Sequence, residues 1–70
     1  MRTHRYRIII SGGLGEIGRE AFGSFHIESN DTHTVLTGDL DQGGLYGALT
    51  RIQALGLELV GLTRLAGGAG

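Results

Sequence analysis

The alternation of apolar and polar positions divides the chain into six segments. From Arg5 to Ser11, Tyr6, Ile8 and Ile10 share one side of an extended strand, and Arg5, Arg7 and Ile9 share the other. Three consecutive isoleucines suit a strand covered on both sides, which places it centrally in a sheet. Between Ser11 and Gly23 the period changes. Leu14, Ile17, Ala21 and Phe22 fall at i, i+3, i+7 and i+8, one face of a helix. Glycines at 12, 13, 15 and 18 oppose it, those inside the helix costing up to ~1 kcal/mol each, so the helix is short and depends on docking.

Ser24 to Asp39 reads as a hairpin. Phe25 and Ile27 alternate with His26 and Glu28, Asn30-Asp31 supplies turn residues, and Thr34 to Gly38 is extended and rich in β-branched residues. With that turn, Glu28 faces His33, Ile27 faces Thr34, His26 faces Val35 and Phe25 faces Leu36. Asp39 to Arg64 is the most regular stretch. Asp41 is the expected N-cap of a helix over Gln42–Leu55, whose buried stripe is Leu45, Ala48, Leu49, Ile52 and Leu55. Gly56 stands where a left-handed residue ends a helix. Leu57 to Arg64 follows as a strand, with Leu57 and Leu59 on one face and Val60 and Leu62 on the other.

The order β-α-β-β-α-β defines an α+β, ferredoxin-like arrangement: a four-stranded antiparallel sheet with two helices on one face. Residues 1–65 form a single domain, and 66–70 read as a disordered glycine-alanine tail. The helices cover one sheet face only. The other carries an apolar centre of Ile9, Val35, Val60 and Leu62 inside a polar rim, the anatomy of an interface. A homodimer or larger oligomer, formed sheet face to sheet face, is the expected partner state.

Composition strengthens that expectation. A 70-residue chain buries a small share of its surface, and domains of this size often add disulfides, a metal or a partner subunit. There is no cysteine, so disulfides, thiolate metal sites and cysteine nucleophiles are excluded. Six arginines, no lysine and seven acids leave a net charge of −1, too little for a nucleic-acid or anionic-membrane footprint. The longest apolar run, Ile8–Ile10, falls far short of the ~20 residues of a membrane span. No signal-peptide pattern precedes it, and a cytoplasmic location is the default.

Three constellations carry candidate chemistry. Gly12 to Gly18, G-G-L-G-E-I-G, follows an apolar strand and opens a helix. It resembles the glycine-rich turn of short-chain dehydrogenases and related Rossmann proteins, which implies backbone contacts from Gly12, Gly13 and Gly15 to a pyrophosphate. The competing reading is a permissive loop that lets a short helix approach the sheet. His26, Glu28 and His33 project from one side of the hairpin, a donor set that suits a divalent ion of the zinc type, set against the commoner reading of a solvated polar surface. Ser11, Ser24 and Ser29 lack a histidine and acid partner, so no catalytic set assembles and no enzyme or cofactor is expected.

Asp41 to Val60, D-Q-G-G-L-Y-G-A-L-T-R-I-Q-A-L-G-L-E-L-V, resembles the ending of a group of short uncharacterised proteins from high-GC bacteria. The same run is similar to the helix of ACT-type regulatory domains, which share the topology and bind amino acids at dimer interfaces. That resemblance implies a ligand loop at Ser11–Gly15 or at Asp41, Gly43 and Gly44. The leading expectation is a non-catalytic interaction or assembly module, then an ACT-like small-ligand sensor, then a nucleotide binder through Gly12–Gly18.

Overall fold

The computed structural model describes residues 2–65, and its centre is the triple-isoleucine strand, β1 (His4–Ser11). Then follow α1 (Gly15–Ala21), β2 (His26–Ser29), β3 (His33–Leu40), α2 (Gln42–Ala54) and β4 (Leu59–Arg64). The strands form one antiparallel sheet in the order β2-β3-β1-β4, so β1 lies between β3 and β4 as its apolar run requires. This is the ferredoxin-like α+β arrangement. The tail expected at 66–70 lies outside the described residues.

The core is small. Ile8 and Ile10 of β1 and Leu36 of β3 point to the same side and meet Phe22, Ala48 and Ile52, so both helices pack on one sheet face. Thr34 is fully buried among them, and its hydroxyl donates to the Gly12 carbonyl at 2.7 Å. That bond satisfies a buried polar group and ties the loop after β1 to β3.

α2 is delimited as its sequence predicts, apart from ending one residue earlier. The Asp41 carboxylate accepts from the Gly44 amide at 2.6 Å, which caps the N-terminus. At the other end Gly56 adopts φ +71, Gly56 N–H donates to Gln53 and Leu57 N–H donates to Ile52, both at 3.0 Å. Those two bonds make a Schellman stop. Leu57 is thereby the residue that closes the helix against the core, and β4 begins only at Leu59.

Three expectations are corrected. The β2–β3 turn is centred on Asp31-Thr32, not Asn30-Asp31, and the pairs are His26 with Thr37, Ile27 with Leu36, Glu28 with Val35 and Ser29 with Thr34. The cause is Asn30, whose side-chain oxygen accepts from the amides of Thr32 and His33 at 2.8 Å and from the Thr32 hydroxyl at 3.0 Å. An Asn at the first turn position, bonding the backbone ahead of it, moves the turn by one residue. Pairing then shifts by two and every side chain keeps its face. Phe25 reaches Gly38 instead of Leu36, and a Cβ on Gly38 would lie 3.1 Å from its ring.

α1 is rotated from its expected orientation. Ile17 is 74% exposed, while Gly18 is buried beside Leu14 and Phe22 is fully buried. A Cβ on Gly18 would come within 2.5 Å of the Leu14 side chain. The helix therefore turns its glycine inward, which gives Leu14 and Phe22 room to reach the sheet. Leu55, expected in the α2 stripe, is the helix C-cap and is 37% exposed.

The third correction concerns β4. Tyr6 pairs with Arg64, Arg7 with Thr63, Ile8 with Leu62 and Ile9 with Gly61, but Ile10 pairs with Leu59. Val60 is the extra residue of a β-bulge, so Val60 and Gly61 stand where alternation allows one. Before the bulge Leu59 shares the helix side, as expected. After it the parity reverses, and Leu62 and Arg64 join Ile8 and Tyr6 on the helix side instead of the open face.

Candidate functional site: the open sheet face and the β4 edge

On the open face Ile9 pairs directly with Val35, and both are half-buried without a helix above them. Val60, 53% exposed, continues the apolar strip on β4. Leu62 does not belong to it, because Ile8 is its partner. The face therefore presents three of the four expected apolar residues. Its rim is polar: Arg5 donates to Asp39 at 3.2 Å, and His26 lies 3.8 Å from Glu28. Both pairs are more than half exposed, which makes them surface contacts of small energetic weight.

The candidate metal set does not come together. His33 places its Nδ1 3.1 Å from the Thr32 hydroxyl, and among the described residues no three His, Asp or Glu side chains are grouped to hold an ion.

The glycine turn is shaped by the fold around it. Gly12 and Gly15 have φ of +81 and +71. The Gly12 amide donates to the Thr32 carbonyl at 2.7 Å and its carbonyl accepts from Thr34. Gly12 is thus bonded within the protein at both main-chain groups, and α1 has no side-chain cap and spans only seven residues. Gly13 is exposed and makes no contact that a Cβ would disturb. Asp41, Gly43 and Gly44 open α2, with the Asp41 carboxylate engaged by Gly44. Within these loops Gly12 thus serves the turn after β1, and Asp41 with Gly44 the entry of α2.

The feature that reading by alternation missed lies on the other side of β4. Leu59 is 43% exposed and Leu62 41%, although both face the helices, and Tyr46 on α2, which shares a groove with Leu59, is 59% exposed. α2 covers the centre of the sheet and stops short of its edge. Between them runs a groove of about 410 Å³ lined by Tyr46, Leu49, Ile52, Leu57 and Leu59, with Thr50 and Gln53 as its only polar lining. Gly61 was the available signal, since a glycine inside a strand pattern marks a bulge. Together, Val60 on one side and Leu59, Leu62 and Tyr46 on the other make β4 an edge strand flanked by apolar side chains on both faces.

No helix of the described residues is long and apolar enough to cross a membrane. Fold and surface define a small ferredoxin-like α+β domain with an open sheet face and an uncovered apolar edge. The chain belongs to the family described as Domain of unknown function (DUF8691), which matches residues 5–63 and so spans all six elements. No curated protein and no solved structure matches it.

Proposed function

We propose that this chain is a non-catalytic interaction module that works by self-association. The observation that carries the reading is the concentration of exposed apolar side chains at one edge: Tyr46, Leu59, Val60 and Leu62 are each more than two-fifths exposed. Clustered exposure of this kind marks interaction surfaces, whereas single exposed aliphatics do not. The economy of the core supports it too. Among the described residues six apolar side chains are buried, and a domain this small gains from burying more surface against a partner.

The polar residues support a binding role over a catalytic one. Asp41 caps α2 and the Ser29 hydroxyl accepts from Arg19 at 3.2 Å, so these groups have structural partners. Sedimentation equilibrium from low to high micromolar protein tests the reading. A concentration-dependent dimer is expected, and Val60→Asp should shift the equilibrium toward monomer. A wild-type chain that stays monomeric throughout refutes it. Amino acids and nucleotides, added in a thermal-shift series, should leave the melting temperature unchanged.

A further inference from the structure

The geometry points to a specific mode for that association, on which this inference depends: two copies pair through β4, antiparallel about a two-fold axis between Val60 and Gly61, into one continuous eight-stranded sheet. β4 is the terminal strand of the sheet, with β1 on one side only. Its hydrogen-bonding directions follow from its ends. Leu65 N–H donates to the Arg5 carbonyl at 2.8 Å, and the Glu58 carbonyl accepts from Ser11 N–H at 2.9 Å. Residues 58 and 65 thus turn their main chain toward β1. Alternation back from 65 sets 63 and 61 inward as well, with 64 and 62 outward. Forward from 58, residue 59 is outward, and the bulge absorbs the odd residue.

A second copy of the same edge must match outward groups to outward groups and side-chain faces to side-chain faces. For a contact that spans the bulge from Glu58 to Thr63, one register does both. Leu59 lies opposite the partner copy's Leu62, Val60 opposite its Gly61 and Glu58 opposite its Thr63. Leu59 and Leu62 share the helix side, and Val60 and Gly61 share the open side, so no side chain crosses the sheet. A register one residue away puts Val60 against Leu62, which point to opposite faces. Because both copies carry the bulge at the same place, its irregularity cancels across the axis.

The chemistry of the contact suits a second copy in particular. Across the axis two Leu59–Leu62 pairs form a four-leucine cluster, extended by Tyr46 and the uncharged α2–β4 groove of each copy. No like charges meet, since Glu58 faces threonine and Arg64 lies beyond the paired residues. The exposed parts of Tyr46, Leu59, Val60 and Leu62 with the strand's main chain make a contact below the ~1,000 Å² at which specific interfaces begin, so the pairing is of the weak, reversible kind. A micromolar dimer is the expectation.

Cysteine cross-linking reads the register directly, because the chain has no cysteine of its own. A Leu59→Cys chain mixed with a Leu62→Cys chain should form the mixed disulfide at least about tenfold faster than either variant alone links to itself, since hydrogen-bonded cross-strand neighbours lie ~5.5 Å apart at Cα, within disulfide reach. Equal rates in the mixed and single solutions overturn the register. Leu62→Pro removes an outward N–H and no bond to β1, so it should weaken the dimer at least about tenfold while a native circular-dichroism spectrum is retained. A folded Leu62→Pro variant that dimerises as well as wild type sinks edge pairing and leaves self-association standing. A monomeric wild type sinks both. The cross-linking result decides the matter independently of how the proline variant behaves.

Discussion

Gly56 offers a test in which a single methyl group, placed in two mirror-image ways, separates backbone strain from packing. Its φ of +71 lies in the left-handed region, and a Cβ built there would meet nothing within 4 Å. Any loss on substitution by L-alanine therefore comes from the backbone alone. Forcing an L-residue into that region costs about 1–2 kcal/mol. In a domain of this size each kcal/mol moves the melting temperature by roughly 4–8 °C, so Gly56→Ala should melt roughly 4–16 °C lower. D-alanine at the same position accepts positive φ without strain and removes freedom from the unfolded chain, which should stabilise by about 0.4–1 kcal/mol. A chain of this length is accessible to chemical synthesis, and both variants are compared by calorimetry at one protein concentration, because the proposed association would make melting concentration-dependent. Opposite signs for the two enantiomers are required. Equal losses would mean that the added carbon collides with something, and the account of the α2 stop given above would be wrong.

Two further outcomes follow from the fold. Asp41→Ala removes the acceptor of the Gly44 amide and should lower stability by about 1 kcal/mol in urea unfolding, with Asp41→Asn losing much less. The rotation of α1 predicts a contrast between neighbours in sequence: Ile17→Ala should change stability by less than about 0.5 kcal/mol, whereas Phe22→Ala, at a fully buried position, should cost about 3–5 kcal/mol and leave the domain largely unfolded.

The parts of the fold that were legible in the sequence are those decided by local chemistry. Asp41 and Gly56 mark the ends of α2 because capping involves residues three or four apart, and Ile8–Ile10 mark a central strand because nothing else suits three aliphatics in a row. The misreadings arise where one specific contact, local at Asn30 and tertiary at Gly18, outweighs the general pattern. Asn30 takes three hydrogen bonds and relocates a turn that Asn30-Asp31 alone would centre. Gly18 yields the inner side of α1 to Leu14 and Phe22, and the apolar Ile17 is left in solvent. In the first case the faces survive, because moving a turn by one residue moves pairing by two. In the second they do not, because a helix seven residues long has too few apolar positions to fix its own rotation. The candidate site shared both fates: Ile9 and Val35 were readable from strand parity, while Leu62 and the Tyr46–Leu59 groove were not.

That last difference changes the kind of surface the protein offers. With uninterrupted alternation, Val60 and Leu62 would join Ile9 and Val35 in a flat patch suited to stacking one sheet on another. The bulge at Val60 divides them, so that β4 carries one apolar residue toward the open face and two toward the helices. A sheet-to-sheet contact covers only the first. Groups on both faces of an edge strand are covered together only by a neighbour in the same sheet, which also takes up the unpaired N–H and C=O groups of Leu59, Leu62 and Arg64. Edge strands avoid such pairing with a charge, a proline or a bulge at mid-strand, and β4 has only the bulge, which the two-fold register sets against its own copy. Here the middle of β4 is Leu59-Val60-Gly61-Leu62, and Arg64 is the only charge in the strand. An edge this apolar, with neither charge nor proline at its middle, suits pairing with an identical edge that carries the same bulge.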